Sequence, residues 1–514
     1  MDRMEPVDFN AAADAYAATP LLNCLLRETA DPTGEEGVHR LRGSGRLLRV
    51  RGARRSQVAE LGTAHGWRRL GHAELVKLSS DELRHYTGVP NDELPAEIND
   101  SRDTIAALLA ARAAAEAPED PYVRSEQALV MGHPHHPAPK ARGGAPAASW
   151  LPYAPEAHAR FPLLFLGVRE DQTLEEGGAA AADAIEALAG ILDGPRAPAG
   201  YRLLPAHPWQ LALVADRPAL REAFADGRML RLGPGRRSVW PTASVRTLYV
   251  PDPDRDVFVK FSLDVRITND VRRLWRHDLL RLRRTDAAVR AGFAELRRAG
   301  SDAVWLADRG YRTAGFAFEE LAVLVRDGLH GRVAPGAGPL LAAALAEGFE
   351  GSPLAAAPDP VGWWRGYLRQ VVPPVLGLFA RRGIVLEAHL QNCLVAVDGR
   401  GMPVQALFRD AEGVKLPGDL PREAAWQRLV YCLVVNHLAE IAEALAERHP
   451  QAAGQLWPAV REELLRFDAA HGLPEIAALL AAPALPAKTN LLLRWTRADG
   501  AEARYAPLPN PLRG

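Results

Sequence analysis

Two stretches of the chain gather polar residues of the kinds that handle phosphate and a divalent cation. In one, Glu387, His389, Gln391 and Asn392 precede the apolar run CLVAV (393–397), and the turn Asp-Gly-Arg-Gly-Met-Pro then leads through VQALF (404–408) to Arg409, Asp410 and Glu412. Strand, turn and strand make a hairpin, and antiparallel pairing folds its open ends together. With the turn centred on Gly399–Gly401, Asn392 falls opposite Phe408 or its neighbour, close to Asp410. An amide oxygen beside two carboxylates is hard-oxygen chemistry, suited to Mg²⁺ shared with phosphate oxygens. A solvated hairpin base closed by a salt bridge has the same spacing.

A second hairpin is legible in SVRTLYV, PDPDRD and VFVKFSL. Pairing Val250 with Val257 sets Thr247 opposite Lys260, and the two-residue period puts Lys260 on one face with Phe258 and Ser262 while Val257, Val259 and Phe261 face the other way. A cation held on a rigid strand beside hydroxyls suits a nucleoside triphosphate, with Ser244 and Thr247 donating hydrogen bonds and Arg246 and Lys260 balancing charge. Thr268 and Arg272 follow, and the guanidinium can fork onto a carboxylate or a phosphate. Half-exposed strands also carry Lys and Thr for no catalytic reason.

Only five of the 62 basic residues are lysines, namely Lys77, Lys140, Lys260, Lys415 and Lys488. Where arginine fills the surface, a retained lysine is a candidate for a site that needs a compact ammonium. Lys140 lies in GHPHHPAPKARGG (132–144) with His133, His135, His136 and Arg142, where imidazole and cationic donors suit a small polycarboxylic acid better than a zinc ion. His207 in HPWQ and His437 in the long helix read as structural. Cys24, Cys393 and Cys432 are too far apart for a metal knuckle or a disulfide framework.

These residues need several elements to position them. A chain of 514 residues exceeds the usual single core, so two or three lobes around a cleft are expected. Residues 9–117 read as a helical lobe, with TIAALLAARAAAEA rich in helix formers. The loop MGHPHHPAPKARGGAPAA follows, and its four prolines and three glycines forbid a regular helix. Antiparallel strands then alternate with helices near 179–192 and 218–225, and past an Arg-rich helical stretch (270–299) the chain turns helical except for the hairpin at 393–408. A net charge of −1 excludes phosphate tracking along nucleic acid as the main task. An acidic N-terminus without a basic block and apolar run, and no apolar stretch of about 20 residues, predict a cytoplasmic chain without a membrane span.

The motifs GHPHHPAPKARGG (132–144), HPWQ (207–210), PTASVRT (241–247), VKFSLDVRITNDVR (259–272), LEAHLQN (386–392) and RDAEG (409–413) together resemble the siderophore synthetases that work without a nonribosomal peptide synthetase, the aerobactin-synthetase-like family. The resemblance covers roughly residues 126–415, with a looser match to Lys488. It implies an α+β, cupped-hand architecture: a helical thumb (1–125), α+β fingers of antiparallel sheet (126–320) and a largely helical palm (321–514) whose nucleotide hairpin is distantly kinase-like. Carried over residue by residue, Ser244, Arg246, Thr247, Lys260, Arg272, His389, Asn392, Asp410 and Glu412 bind ATP, the last three with Mg²⁺. His136, Thr268, Arg272, His389, Gln391 and, more loosely, Lys488 bind the carboxylate substrate, to which the reading of the loop adds Lys140. Lys260, Arg272 and His389 are the implied catalytic residues.

The implied reaction adenylates a carboxylic acid, citrate or a citrate derivative first, and joins it to an amine or alcohol with release of AMP and pyrophosphate. Dimers are common in the family, so a homodimer is an open expectation. Two other readings share parts of this pattern: a ferric-siderophore reductase or binding protein, which would need clustered cysteines that do not follow Cys432, and a kinase-like phosphotransferase, which would release ADP.

Overall fold

The computed structural model describes residues 8–268, 270–498 and 504–513. The first helix, Phe9–Thr29, starts at Asp8, whose carboxylate accepts the N–H groups of Asn10 and Ala11. Five short strands follow, Ala30–Pro32, Val38–Leu41, Leu47–Ala53, Ser56–Thr63 and Gly66–Arg69, paired in chain order as an antiparallel meander. The helices His72–Thr87 and Glu93–Ala114 complete the lobe. The expectation of a helical domain over 1–125 is therefore corrected. Its strands bury only scattered residues such as Val38, Leu48 and Leu61 against the first helix, and their other face is crowded with arginine, so alternation is faint.

The centre is an eight-stranded antiparallel sheet in the order Thr173–Glu176, Asp308–Ala314, Val323–Asp327, Val257–Phe261, Thr247–Val250, Met229–Pro241, Phe161–Arg169 and Tyr201–Ala206. One face buries Val257, Val259, Phe261, Val323 and Val325 in a core shared with the helices Ala179–Ile191 and Pro218–Ala225. A boundary at 320 would cut this sheet, because Val323–Asp327 pairs with Val257–Phe261 along its whole length.

The third lobe holds the hairpin strands Cys393–Val397 and Pro403–Arg409 in a four-stranded sheet with Gly338–Leu341 and, in parallel, Val304–Leu306. The helix Arg276–Arg298 also packs into its core. The chain thus leaves the central sheet for this lobe at 276, returns for two strands, and leaves again. Beneath the hairpin lies one helical run, Arg422–Arg448, whose middle, Tyr431–Leu438, is widened to π-helix. Its 27 residues are apolar enough to cross a membrane by length and composition, but 78% of the most apolar window is buried within the fold, as in a core helix. Near the end, Leu491 and Trp495 of the helix Asn490–Trp495 pack back into the first lobe.

Candidate functional site

The register of the second hairpin is the one the alternation predicts: Val250 pairs with Val257 and Thr247 with Lys260. Because Val257, Val259 and Phe261 fill the core on one face, Lys260 must project from the other, toward the base of the C-terminal hairpin. There Cys393 pairs with Phe408, so Asn392 and Arg409 are at the open end and Asp410 lies just past it. The Lys260 ammonium donates to both oxygens of Asp410, at 2.9 and 3.0 Å, and to Glu412 at 2.6 Å.

Arginines close the cluster. Arg246 pairs with Glu412 at 2.9 Å, and Arg326 spans Asp308 at 2.6 Å and Asp410 at 3.3 Å. Burial pushes the Asp410 carboxyl up, but Lys260 and Arg326 overcome it and hold the group well below the usual carboxylate range. Glu412 is likewise held low by Lys260 and Arg246 against burial. Asp410 has φ 80°, a left-handed conformation costly for a residue with a Cβ, and the next residue, Ala411, donates its N–H to Asp308. Val245 and Thr268, both β-branched and both flanking site residues, also sit at positive φ, 66° and 59°. Such strain persists only where surrounding contacts over-determine it, here around the bend that aims Arg246 and the turn that carries Arg272.

Arg272 has no carboxylate partner among the described residues. Its guanidinium donates to the Ile267 carbonyl at 3.1 Å and to the Thr268 hydroxyl at 2.6 Å, which brings two predicted acid-binding residues together. Burial, then the neighbouring Arg246 charge, lowers its pKa. His389 is lowered by burial as well and is therefore neutral near pH 7, with its Nε2 3.3 Å from the Asn392 amide nitrogen. Gln391 is half-buried beside them and its carbonyl accepts from Arg409. Lys488, in the strand Ala484–Lys488, is half-buried, and burial and then Arg428 depress its ammonium. Ser244 accepts the Thr247 N–H at 3.1 Å and caps the same bend.

Lys140 is not brought to this cluster. Its ammonium is buried against Glu156, which Arg142 also approaches at 3.5 Å, so it anchors the proline-rich loop from within. That departs from the expected acid-binding role. His136 is buried too, with Nδ1 accepting the Ala138 N–H. Two residues that the sequence reading passed over are central: Asp308 and Arg326, which share their strands with Arg309 and Arg312 and with Asp327, so that nothing in the sequence sets them apart. Glu387, named with the hairpin base, is held by Arg428 at 2.6 Å beside His389.

The donor set fits Mg²⁺. The Asp410 and Glu412 side chains are only 24% and 31% exposed, and Asn392 spends its amide nitrogen on the Glu387 carbonyl, leaving its oxygen as a neutral ligand. When bound, the ion would supply charge neutralisation for phosphate oxygens.

A model of the IucA/IucC family matches residues 121–347, and a model described as ferric iron reductase FhuF-like transporter matches 362–503. The rhizobactin siderophore biosynthesis protein RhbC of Rhizobium meliloti is 31% identical over 473 residues, 80% of this chain and 80% of that protein. The chain belongs to the IucA/IucC family. Among IucA/IucC relatives, the L-2,3-diaminopropanoate–citrate ligase of Staphylococcus aureus is 29% identical over 442 residues, covering 77% of this chain and 75% of the ligase. The fold is that of the ATP-bound aerobactin synthetase IucA from a hypervirulent Klebsiella pneumoniae pathotype, with TM-score 0.83 at 23% identity across 97% of this chain and 99% of that one. As an IucA/IucC protein the chain is an acid–amine ligase of siderophore biosynthesis. The FhuF-like match falls on a half whose two cysteines, Cys393 and Cys432, are buried single thiols.

Proposed function

We propose that the cleft between the central sheet and the C-terminal hairpin adenylates citrate or a citrate derivative and passes the acyl group to an amine or alcohol. The observation that carries this is the juxtaposition of Arg272, whose guanidinium has no carboxylate partner among the described residues, with the charge-balanced cluster of Lys260, Arg246, Asp410 and Glu412. One end suits phosphates, and the adjoining end offers a cation to a carboxylate.

A carboxylate oxygen of the acid attacks the α-phosphorus of ATP, the bond to pyrophosphate breaks, and an acyl-adenylate forms. The nucleophile then adds to the acyl carbon, AMP departs, and the nucleophile's proton is released. Lys260, Arg246, Ser244 and Thr247 hold phosphate oxygens, while Asn392, Asp410 and Glu412 would hold Mg²⁺. Arg272, Thr268, His389 and Gln391 orient the acid, with His136 and Lys488 at its margins. Positioning and charge neutralisation are the main tasks of such a site. The ligase names of the family's members support citrate as the first acid to try.

The test is product analysis with ATP, Mg²⁺, citrate and an amine panel. AMP and pyrophosphate that appear only with acid, and fall by about 100-fold or more in Arg272→Ala, support the reading. ADP as the product, or normal release from Arg272→Ala, overturns it.

A further inference from the structure

The backbone that carries His389 is held from the interior of the C-terminal lobe. The carbonyls of Glu387, Ala388 and His389 each have a donor. Asn392 Nδ2 donates to Glu387 at 3.1 Å, the Asn392 N–H to His389 at 2.9 Å, and the His437 ring to Ala388 at 2.8 Å. The first two donors belong to the turn that follows. The third comes from the helical run Arg422–Arg448, from the stretch Tyr431–Leu438 that is widened to π-helix. Such widening is rare and recurs at functional sites. Arg428, in the α-helical turn before it, holds the Glu387 carboxylate at 2.6 Å. One helical run thus grips both residues that precede His389, the first by its side chain and the second by its backbone.

The hydrogens in this contact are fixed by chemistry. A carbonyl oxygen only accepts, so Nδ1 of His437 carries a proton, and burial lowers the imidazole to about 4, which leaves the ring neutral at pH 7. Nε2 is then an acceptor, and the Tyr367 hydroxyl 2.5 Å away donates to it. Tyr367 lies on the helix Pro360–Arg382, where its ring stacks on Trp363 and Trp364 with centroids 5.3 and 5.6 Å away. Both indoles are anchored at 2.9 Å, Trp363 to the Gly401 carbonyl in the hairpin turn and Trp364 to the Leu456 carbonyl. Tyr367 and His437 are closed to solvent. Pairing a buried carbonyl takes one donor. The tyrosine behind the imidazole adds nothing to that pairing, but it decides which ring nitrogen faces Ala388 with a proton.

We propose that Tyr367 and His437 are positioning residues of the adenylation site. The hydroxyl fixes the tautomer of the imidazole, the imidazole fixes the plane of the Ala388 peptide, and that peptide sets the direction in which the His389 side chain meets the acid. The inference rests on the reading of His389 as a residue that orients the acid, and neither Tyr367 nor His437 touches substrate.

The experiment measures citrate-dependent pyrophosphate release in Tyr367→Phe, His437→Leu and His437→Asn, and repeats the first two substitutions in a His389→Ala background. Asparagine places an amide nitrogen where Nδ1 stands, so it keeps the bond to Ala388. Tyr367→Phe and His437→Leu should lower kcat/KM for citrate by about 10- to 100-fold, with His437→Asn recovering most of the loss. In the His389→Ala background each should cost less than about twofold more, because the side chain it aims is gone. The NMR signals of the His389 ring, assigned by their loss in His389→Ala, should shift in Tyr367→Phe. Values within about twofold of wild type in both Tyr367→Phe and His437→Leu, an undiminished loss in the His389→Ala background, or unmoved ring signals overturn the proposal. Should His437→Leu fail to fold, Tyr367→Phe, which removes a single oxygen, decides by the same measures. If the wild type releases no citrate-dependent pyrophosphate, the adenylation reading fails instead. The His389 ring signals then decide the pair, supported by a shift in Tyr367→Phe and overturned by none.

Discussion

Replacing Lys260 with methionine keeps the length of the side chain and removes its charge. The ammonium is 3% exposed and makes three short contacts to Asp410 and Glu412, at 2.9, 3.0 and 2.6 Å. With Arg246 and Arg326 it balances Asp308, Asp410 and Glu412, so its loss leaves a net negative charge among carboxylates 24% and 31% exposed. Removing one partner of a fully buried pair costs about 3–5 kcal/mol, and the partial solvation here brings the figure toward about 2 kcal/mol. For a cooperative unit of 150–250 residues that is a fall in Tm of roughly 4–8 °C at pH 7.

The sign with pH follows from the depressed carboxyls. Asp410 and Glu412 lie below their unfolded values, so their contribution is present above about pH 4 to 4.5 and is lost as the pH falls through the folded values. The gap between wild type and Lys260→Met should therefore be widest near neutrality and close in acid. Loss of a preorganised charged donor should also lower acid-dependent pyrophosphate release by about 100- to 1,000-fold. Scanning calorimetry across pH and a coupled pyrophosphate assay read both. A variant whose Tm stays within about 1 °C of wild type at pH 7 and whose release stays within about fivefold would refute the reasoning, since either magnitude requires the buried contacts.

Glu126→Gln should lower stability by about 3 kcal/mol in urea melts, because the carboxylate buried at 2% exposure accepts from Arg409, Tyr122 and the Ala243 N–H at once. Glu28 is pushed up to about 7 by burial, so it contributes stability below its unfolded value near 4.5 that is lost as the pH rises through 7. Wild type should accordingly lose about 3 kcal/mol relative to Glu28→Gln between pH 4.5 and 8, checked by paired melts. Lys140→Met should depress Tm while leaving the half-saturating citrate concentration within about twofold, the pattern of a buried structural ion rather than a ligand of the acid.

The parts of the site built on local periodicity were legible in the chain. Alternation in VFVKFSL set the face of Lys260, and the turn at 398–403 set which ends of the second hairpin would meet, because strand register depends on nearby residues. Arg326 was not legible as a partner of Asp410, nor Asp308 as the second carboxylate on that guanidinium, since no spacing links positions 308, 326 and 410. The same holds for the path of the chain: the helix Arg276–Arg298 is apparent from its composition, but only packing shows that it joins the C-terminal core before the central sheet is finished. Lys140 was misread for the converse reason. Its rarity suggested a ligand, whereas burial against Glu156 made it a brace. The meander at 30–69 was hidden because its outer face is dense in arginine, which helices favour as readily.

The return of residues 490–495 to the first lobe sets an order of events during synthesis. Leu491 and Trp495 belong to the core laid down by residues 21–98, and the Glu28 carboxylate accepts the N–H groups of Leu491 and Leu492 at 3.0 and 2.8 Å. As the chain emerges from the ribosome, this lobe must therefore wait, its apolar seat uncovered, until residues 490–495 have appeared. For that interval, about 20 to 80 seconds at 5–20 residues per second, the first lobe is a customer for chaperones.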